Sequence, residues 1–279
     1  MTTVGAIFLP QNPPERLPAV ARAADRAGLD ELWLWEDCFL NSGVAAASAA
    51  LAVTGRLKIG IGILPVPFRN VALTAMEIAT LHRLFGDRPI VGVGHGVQEW
   101  MAQVGARPAS PLTLLREYVT ALRRLLAGET VTTRGRYVNL DEVRLDWPPA
   151  SAPELLVGAT GPKSLELSGE LATGTILTGG TSPDGVRAAL GRIDAAGHRM
   201  VVFVPAATGP DAGERLAAQQ KRWGTDDPGV SGDAAAIADG IRRWTDAGVD
   251  SVVLQPTADE PDPEAFVRFV GEEVKPLVA

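Results

Sequence analysis

With 279 residues, 46% of them hydrophobic, the chain can bury a large core, either as one barrel or as two ordinary domains. A net charge of −7 argues against a broad electrostatic grip on nucleic acid and leaves a small molecule as the expected partner. One cysteine, Cys38, excludes an internal disulfide and a cysteine zinc cluster and suits a reducing, cytoplasmic setting, while no stretch reaches the roughly 18 apolar residues of a membrane span.

In chain order, short apolar or β-branched runs predict strands over 4–9, 31–35, 58–64, 90–93, 155–157, 175–178, 200–204 and 251–254. Longer stretches between them predict helices over 15–27, 43–54, 71–84, 111–127, 162–171, 183–195, 234–247 and 263–273. The first helix carries Leu17, Val20, Ala21, Ala24 and Ala27 on one stripe, opens at Asn12-Pro13-Pro14 and stops at Gly28. The runs LKIGIGIL and SVVLQP lack polar alternation, as strands covered on both faces do. Regular strand–helix alternation therefore predicts an α/β fold, a (β/α)8 TIM barrel forming a single domain over 1–279. Two segments exceed the repeat. Residues 130–149 predict a hairpin inserted after the fourth helix, and the polar stretch 209–232, between the seventh and eighth strands, predicts a short helix over 212–222 and a lid.

In such barrels the chemistry sits in the loops after the strands. Strand two is followed by Trp35, Glu36, Asp37, Cys38 and Phe39: an apolar cup around a carboxyl group raises its pKa and suits it to proton exchange, although capping and a buried thiol explain the same residues. Strand three leads to Gly62, Ile63, Phe68 and Arg69, where small residues let a planar ligand approach the backbone. After strand four, Gly94, His95, Gly96 and Trp100 expose amides and a single imidazole; the spacing lacks the rest of a dinucleotide fingerprint. After strand five, Thr160, Gly161, Pro162, Lys163 and Ser164 open a helix as a candidate phosphate cradle, and Thr178-Gly179-Gly180-Thr181-Ser182 repeats that chemistry one strand later. Trp35, Cys38, Phe39, Phe68 and Trp100 are the candidate substrate wall. His82, His95 and His198 are scattered without ligand spacing, so no metal site is expected.

Taken together, AGLDELWLWEDCF, GIGILPVPFRNVALTAMEIATL, GVGHGVQEWM, GATGPKSLELSGELATGTIL and DAGVDSVVLQP resemble the luciferase-like monooxygenase superfamily, especially its branch dependent on the deazaflavin coenzyme F420. The resemblance runs the length of the chain. It implies a coenzyme across the barrel mouth, a non-prolyl cis peptide at Gly62-Ile63 behind its ring, and coenzyme contacts from Gly94, His95 and Gly96 and from Thr160 through Ser164. Homodimers are frequent in that family. Related deazaflavin dehydrogenases commonly carry Asp-His after strand two, whereas Glu36-Asp37 stands here with Cys38 following, and a glutamate common after the strand-four glycines is Val97.

The expected activity is two-electron hydride transfer between F420 and a small organic substrate, Glu36 or Asp37 handling the proton and His95 orienting coenzyme or substrate. Two other readings stand beside it, an FMN-dependent monooxygenase and a noncatalytic flavin-binding barrel.

Overall fold

Eight parallel strands close on themselves in the computed structural model, which describes residues 2–225, 227 and 229–278. In chain order come β1 (Thr3–Phe8), β2 (Glu31–Leu34), β3 (Lys58–Pro65) and β4 (Pro89–Gly94). A hairpin of β5 (Val131–Arg134) and β6 (Asn139–Val143) intervenes before β7 (Leu155–Gly158), β8 (Gly174–Leu177) and β9 (Arg199–Ala207). The two-residue β10 (Val230–Ser231) adds to β9, and β11 (Ser251–Pro256) completes the set. Around the ring the order is β1-β2-β3-β4-β7-β8-β9-β11, with β11 returning to β1. The expected (β/α)8 barrel is the fold, and all eight predicted strands are in it.

Outside the ring run α1 (Leu17–Arg26), α2 (Gly43–Ala52), α3 (Val71–Phe85), α4 (Gln98–Gln103), α5 (Pro111–Leu126), α6 (Pro162–Leu171), α7 (Pro183–Ile193), α8 (Ala212–Trp223), α9 (Ala234–Thr245) and α10 (Pro263–Phe269). A π-helical turn at Val270–Val274 leads into α11 (Lys275–Val278). Three of these depart from the sequence reading. The first helix opens as a 3-10 turn at Pro14–Arg16, because Pro18 has no N–H for the Pro14 carbonyl and Leu17 bonds it instead. The last helix breaks where Gly271 meets α1: a Cβ there would lie 2.6 Å from the Ala27 carbonyl oxygen. The six-residue α4 is too short to show a helical period, and it makes the helix before the hairpin the fifth.

The strands' alternation sorts their side chains into two cores. Outward residues such as Ile59, Ile61, Val91 and Val93 pack against the helices; inward residues Ile7, Trp33, Ile90, Leu156, Ile176, Val201, Phe203 and Val253 fill the barrel. At the closed end, Glu31 of β2, only 1% exposed, receives Arg199 Nη2 from β9 and, at 2.8 Å, the Trp33 indole N–H. The same Arg199 nitrogen reaches the Ser251 hydroxyl of β11 at 2.9 Å. Both insertions are tied down. Glu117 on α5 accepts the amides of Arg136, Tyr137 and Val138 at 2.9, 2.8 and 3.0 Å, holding the hairpin, and Arg215 on α8 reaches Thr257 and Glu260, both at 3.1 Å.

Candidate active site at the barrel mouth

A cleft of about 470 Å³ opens at the strands' C-terminal ends. Its platform is Ile63. The β3–β4 register shifts between Ile61 and Leu64, and the Gly62-Ile63 peptide is cis, as the resemblance implies. Glycines on the two following strands make room for the Ile63 side chain. A Cβ on Gly158 would stand 2.8 Å from its Cγ2, and one on Gly92 or Gly94 would approach it to 3.3 Å. Gly60 and Gly62 face the aromatic rings of Trp33 and Phe203, where a Cβ would come to 2.3 and 2.8 Å. The glycines read from sequence as room for a ligand thus first accommodate the protein's own platform and rings.

Phe203 crosses the barrel towards β3. Trp35 stacks on it with centroids 6.0 Å apart, and Trp33 meets it edge-on at 5.6 Å. Trp35, Trp100, Ile176 and Phe203 give the cleft apolar walls, and Trp223, at the end of α8, joins them from the second insertion.

The two carboxylates after β2 have different surroundings. Glu36 is buried and committed: it accepts the Gly43 amide at 2.7 Å where α2 begins, and Arg69 stands 3.6 Å away, itself paired to Glu77 at 3.2 Å. Asp37 lines the cleft without a side-chain hydrogen bond among the described residues, and burial raises its carboxyl pKa above the ordinary value. Across the mouth, His95 Nε2 lies 2.9 Å from the Ser164 hydroxyl, linking the loops after β4 and β7. Burial lowers the His95 pKa and favours the neutral ring.

Of the residues singled out by sequence, the cleft gathers Trp35, Glu36, Asp37, Gly62, Ile63, Gly94, His95, Gly96, Trp100, Thr160 and Ser164. It leaves several others outside. Gly161, Pro162 and Lys163 stand exposed at the start of α6. Beyond Asp37 the chain turns out of the mouth through a second, unanticipated cis peptide at Cys38-Phe39, leaving Phe39 59% exposed. Burial beside Glu36 and Asp37 pushes the Cys38 thiol pKa up, against a role as nucleophile. Phe68 follows Pro65 in a 3-10 turn and lines a separate polar cleft of about 550 Å³ with Arg69, Arg107 and Tyr137. Of the second glycine loop, Thr178 and Gly179 reach the mouth, whereas Ser182 caps α7 through the Gly185 amide at 3.1 Å. Sequence reasoning missed Phe203, Trp223 and Gln255. For Phe203 and Gln255 a signal existed: each continues the inward row of its strand, at 199, 201, 203 and at 251, 253, 255.

A closed parallel barrel with an apolar cleft at the strands' C-terminal ends is the class that fold and site define. The chain belongs to the luciferase-like monooxygenase family, whose model matches residues 2–243. It is similar to the 5,10-methylenetetrahydromethanopterin reductase of Methanolobus tindarius, 34% identical over 176 residues, 63% of this chain and 53% of that protein. It also resembles the F420-dependent glucose-6-phosphate dehydrogenase of Nakamurella multipartita, 27% identical with 94% of this chain and 92% of that protein covered. The chain spans between 53% and 59% of the three methylenetetrahydromethanopterin reductases it matches. Among solved structures, the coenzyme F420 dependent tetrahydromethanopterin reductase of Methanopyrus kandleri superposes with a TM-score of 0.86, 100% of this chain and 99% of that one covered; at 21% identity this shows the fold.

Proposed function

We propose that the protein is an F420-dependent oxidoreductase acting on a small organic molecule. The observation that carries this reading is the mouth itself: Ile63 raised as a flat apolar platform, aromatic rings opposite, and the His95–Ser164 pair at the rim. The glycines at 94 and 158 leave that platform clear of side chains, which fits a planar ring system. The relatives named as F420-dependent dehydrogenases, one covering nearly the whole chain, support the choice of coenzyme.

A bound deazaflavin supplies or takes up a hydride at its ring carbon. The chain's own part is to hold and move a proton and to keep water away. Asp37 is the group fitted to hold the proton, on a cleft-facing carboxyl whose pKa burial raises, while Glu36 fixes the loop by capping α2 and pairing with Arg69. His95, held by Ser164, orients the ligand at the rim. Gly94, Gly96, Thr160 and Ser164 are the residues placed to contact the coenzyme.

A second reading, an FMN-dependent monooxygenase, draws support from a relative named limonene 1,2-monooxygenase of Rhodococcus erythropolis, 30% identical over 169 residues. Titration with F420 and FMN in both redox states, followed by absorbance and fluorescence, separates the two. Tighter binding of F420 is expected; tighter binding of FMN favours the monooxygenase, and failure of both to bind refutes either. If a coenzyme binds without turnover across a broad substrate panel, the barrel is a binding module.

Among the described residues no helix is long and apolar enough to cross a membrane. We place the protein in the cytoplasm as a homodimer. Leu73 and Met76, and Leu84 two turns further along α3 past Thr80, are apolar and between 46% and 68% exposed, which supports pairing of two copies through that face. Light scattering on the parent and on Met76→Glu with Leu84→Glu tests it: a dimer that becomes a monomer is expected.

A further inference from the structure

We infer that the deep wall of the mouth recognises an uncharged hydrogen-bond acceptor on the substrate, such as a ketone or aldehyde oxygen, through the side-chain N–H groups of Gln255 and Trp35. The substrate side of this inference rests on the coenzyme reading above.

Gln255 is the third inward residue of β11, above Val253 and Ser251, and is 1% exposed. Its side chain lies against Gly179, where a Cβ would come within 2.8 Å of its Oε1, so glycine at 179 is what admits the carboxamide. Neither its Nε2 nor the Nε1 of Trp35 has a partner among the described residues, and both side chains line the cleft. Buried donors are nearly always satisfied in native proteins, so two unsatisfied ones among the residues that line one cleft point to a ligand.

Placement separates that ligand from the coenzyme. In the eight-strand ring β11 stands opposite β4, so Gln255 faces the Gly94-His95-Gly96 loop from the other side of the mouth. Phe203 of β9, stacked on Trp35, fills the space between as an apolar floor. Charge narrows the class further. Among the described residues no lysine or arginine side chain lines the cleft, while Glu36 and Asp37 do. A carboxylate or phosphate on the substrate meets neutral donors and no free cation there, Arg69 being taken up by Glu36 and Glu77, whereas an uncharged oxygen meets its complement.

The test compares matched probes on the full-length protein by ligand-observed NMR: cyclohexanone, butanone and benzaldehyde against cyclohexanecarboxylate and pyruvate, with F420 and FMN affinities measured in parallel. The parent is expected to bind the uncharged carbonyl compounds at least about tenfold more tightly than the anions. Gln255→Leu and Gln255→Met should each weaken carbonyl binding by about tenfold while coenzyme affinity holds, and Trp35→Phe should weaken carbonyl binding several-fold. Retained coenzyme affinity also shows that the variants are folded. Unchanged carbonyl binding in the Gln255 variants, equal binding of the anions, or no saturable carbonyl binding by the parent would overturn the inference. So would a loss confined to the coenzyme, which would assign the donor there. If neither F420 nor FMN binds but the Gln255-dependent carbonyl preference persists, the coenzyme reading falls and this one stands, the variants' folding then being read from their melting curves.

Discussion

Replacing Arg199 with methionine removes the cation from the closed end of the barrel and leaves the Glu31 carboxyl, 1% exposed and with its pKa already raised by burial, to stay ionised without its partner or to take up a proton, and either is costly. One Glu31 oxygen keeps its bond from the Trp33 indole at 2.8 Å; the other loses its partner, and the Ser251 hydroxyl loses the guanidinium as well. Stripping one member from a buried ion pair costs about 3–5 kcal/mol. At roughly 2–3 °C per kcal/mol for a chain of this size, the midpoint of thermal unfolding should fall by about 6–15 °C. The double variant Glu31→Leu with Arg199→Met should recover most of that loss, because apolar groups of similar volume replace such pairs at little cost. Urea and thermal unfolding of the parent, the single and the double variant measure both effects. A single variant within about 1 kcal/mol of the parent, or a double variant as unstable as the single, refutes the reasoning.

Three further outcomes follow from the mouth and the histidines. Gly158→Ala places a methyl group 2.8 Å from Ile63 Cγ2, an overpacking that costs about 1–3 kcal/mol and displaces the platform, so coenzyme affinity should drop while the circular dichroism of the fold persists. Because burial raises the Asp37 pKa, its carboxyl keeps a proton to higher pH than an exposed aspartate, and substrate reduction should slow as pH rises through that value; Asp37→Asn should lower kcat by about 10²–10⁴ and abolish this limb of the profile, which a purely structural Asp37 would leave in place. His82, His95 and His198 all have pKa values lowered by burial, so between the lowered values and about 6.5 the unfolded chain binds more protons than the folded one. Their contribution to stability should be full above about pH 6.5 and decline below it, by at most about 1.4 kcal/mol per pH unit for each ring; melting curves of His95→Gln and His198→Gln against pH should show a shallower decline.

The barrel was legible because its strands and helices alternate as uninterrupted apolar runs and amphipathic stretches, and both periods survive folding unchanged. The mouth was legible in part. Ile63, His95, Ser164 and Asp37 lie at strand ends, where position alone marks them, and the structure brings them to one cleft. Phe68 reads equally well as a wall residue, but its place depends on the turn after Pro65, which no periodicity reports. Arg69 is taken up by Glu36 and Glu77, and Glu77 belongs to a helix whose facing could not be read from the loop. Trp223 reaches the mouth from α8, which Arg215 and Gln219 tie to the loop after β11, contacts between residues 42 and 39 apart in sequence.

The inward rows of the barrel form an insulating stack: an ionic base at Glu31 and Arg199, a hydrocarbon middle of Ile7, Trp33, Val201 and Val253, and a donor-bearing rim at Trp35 and Gln255. With a packed layer and no shared hydrogen-bond partner between them, the two polar ends are energetically separate. Free-energy changes from Arg199→Met and Gln255→Leu should therefore sum to within about 0.5 kcal/mol when combined. Substitutions at the rim can then retune what the mouth accepts without drawing on the ionic base at the opposite end of the barrel.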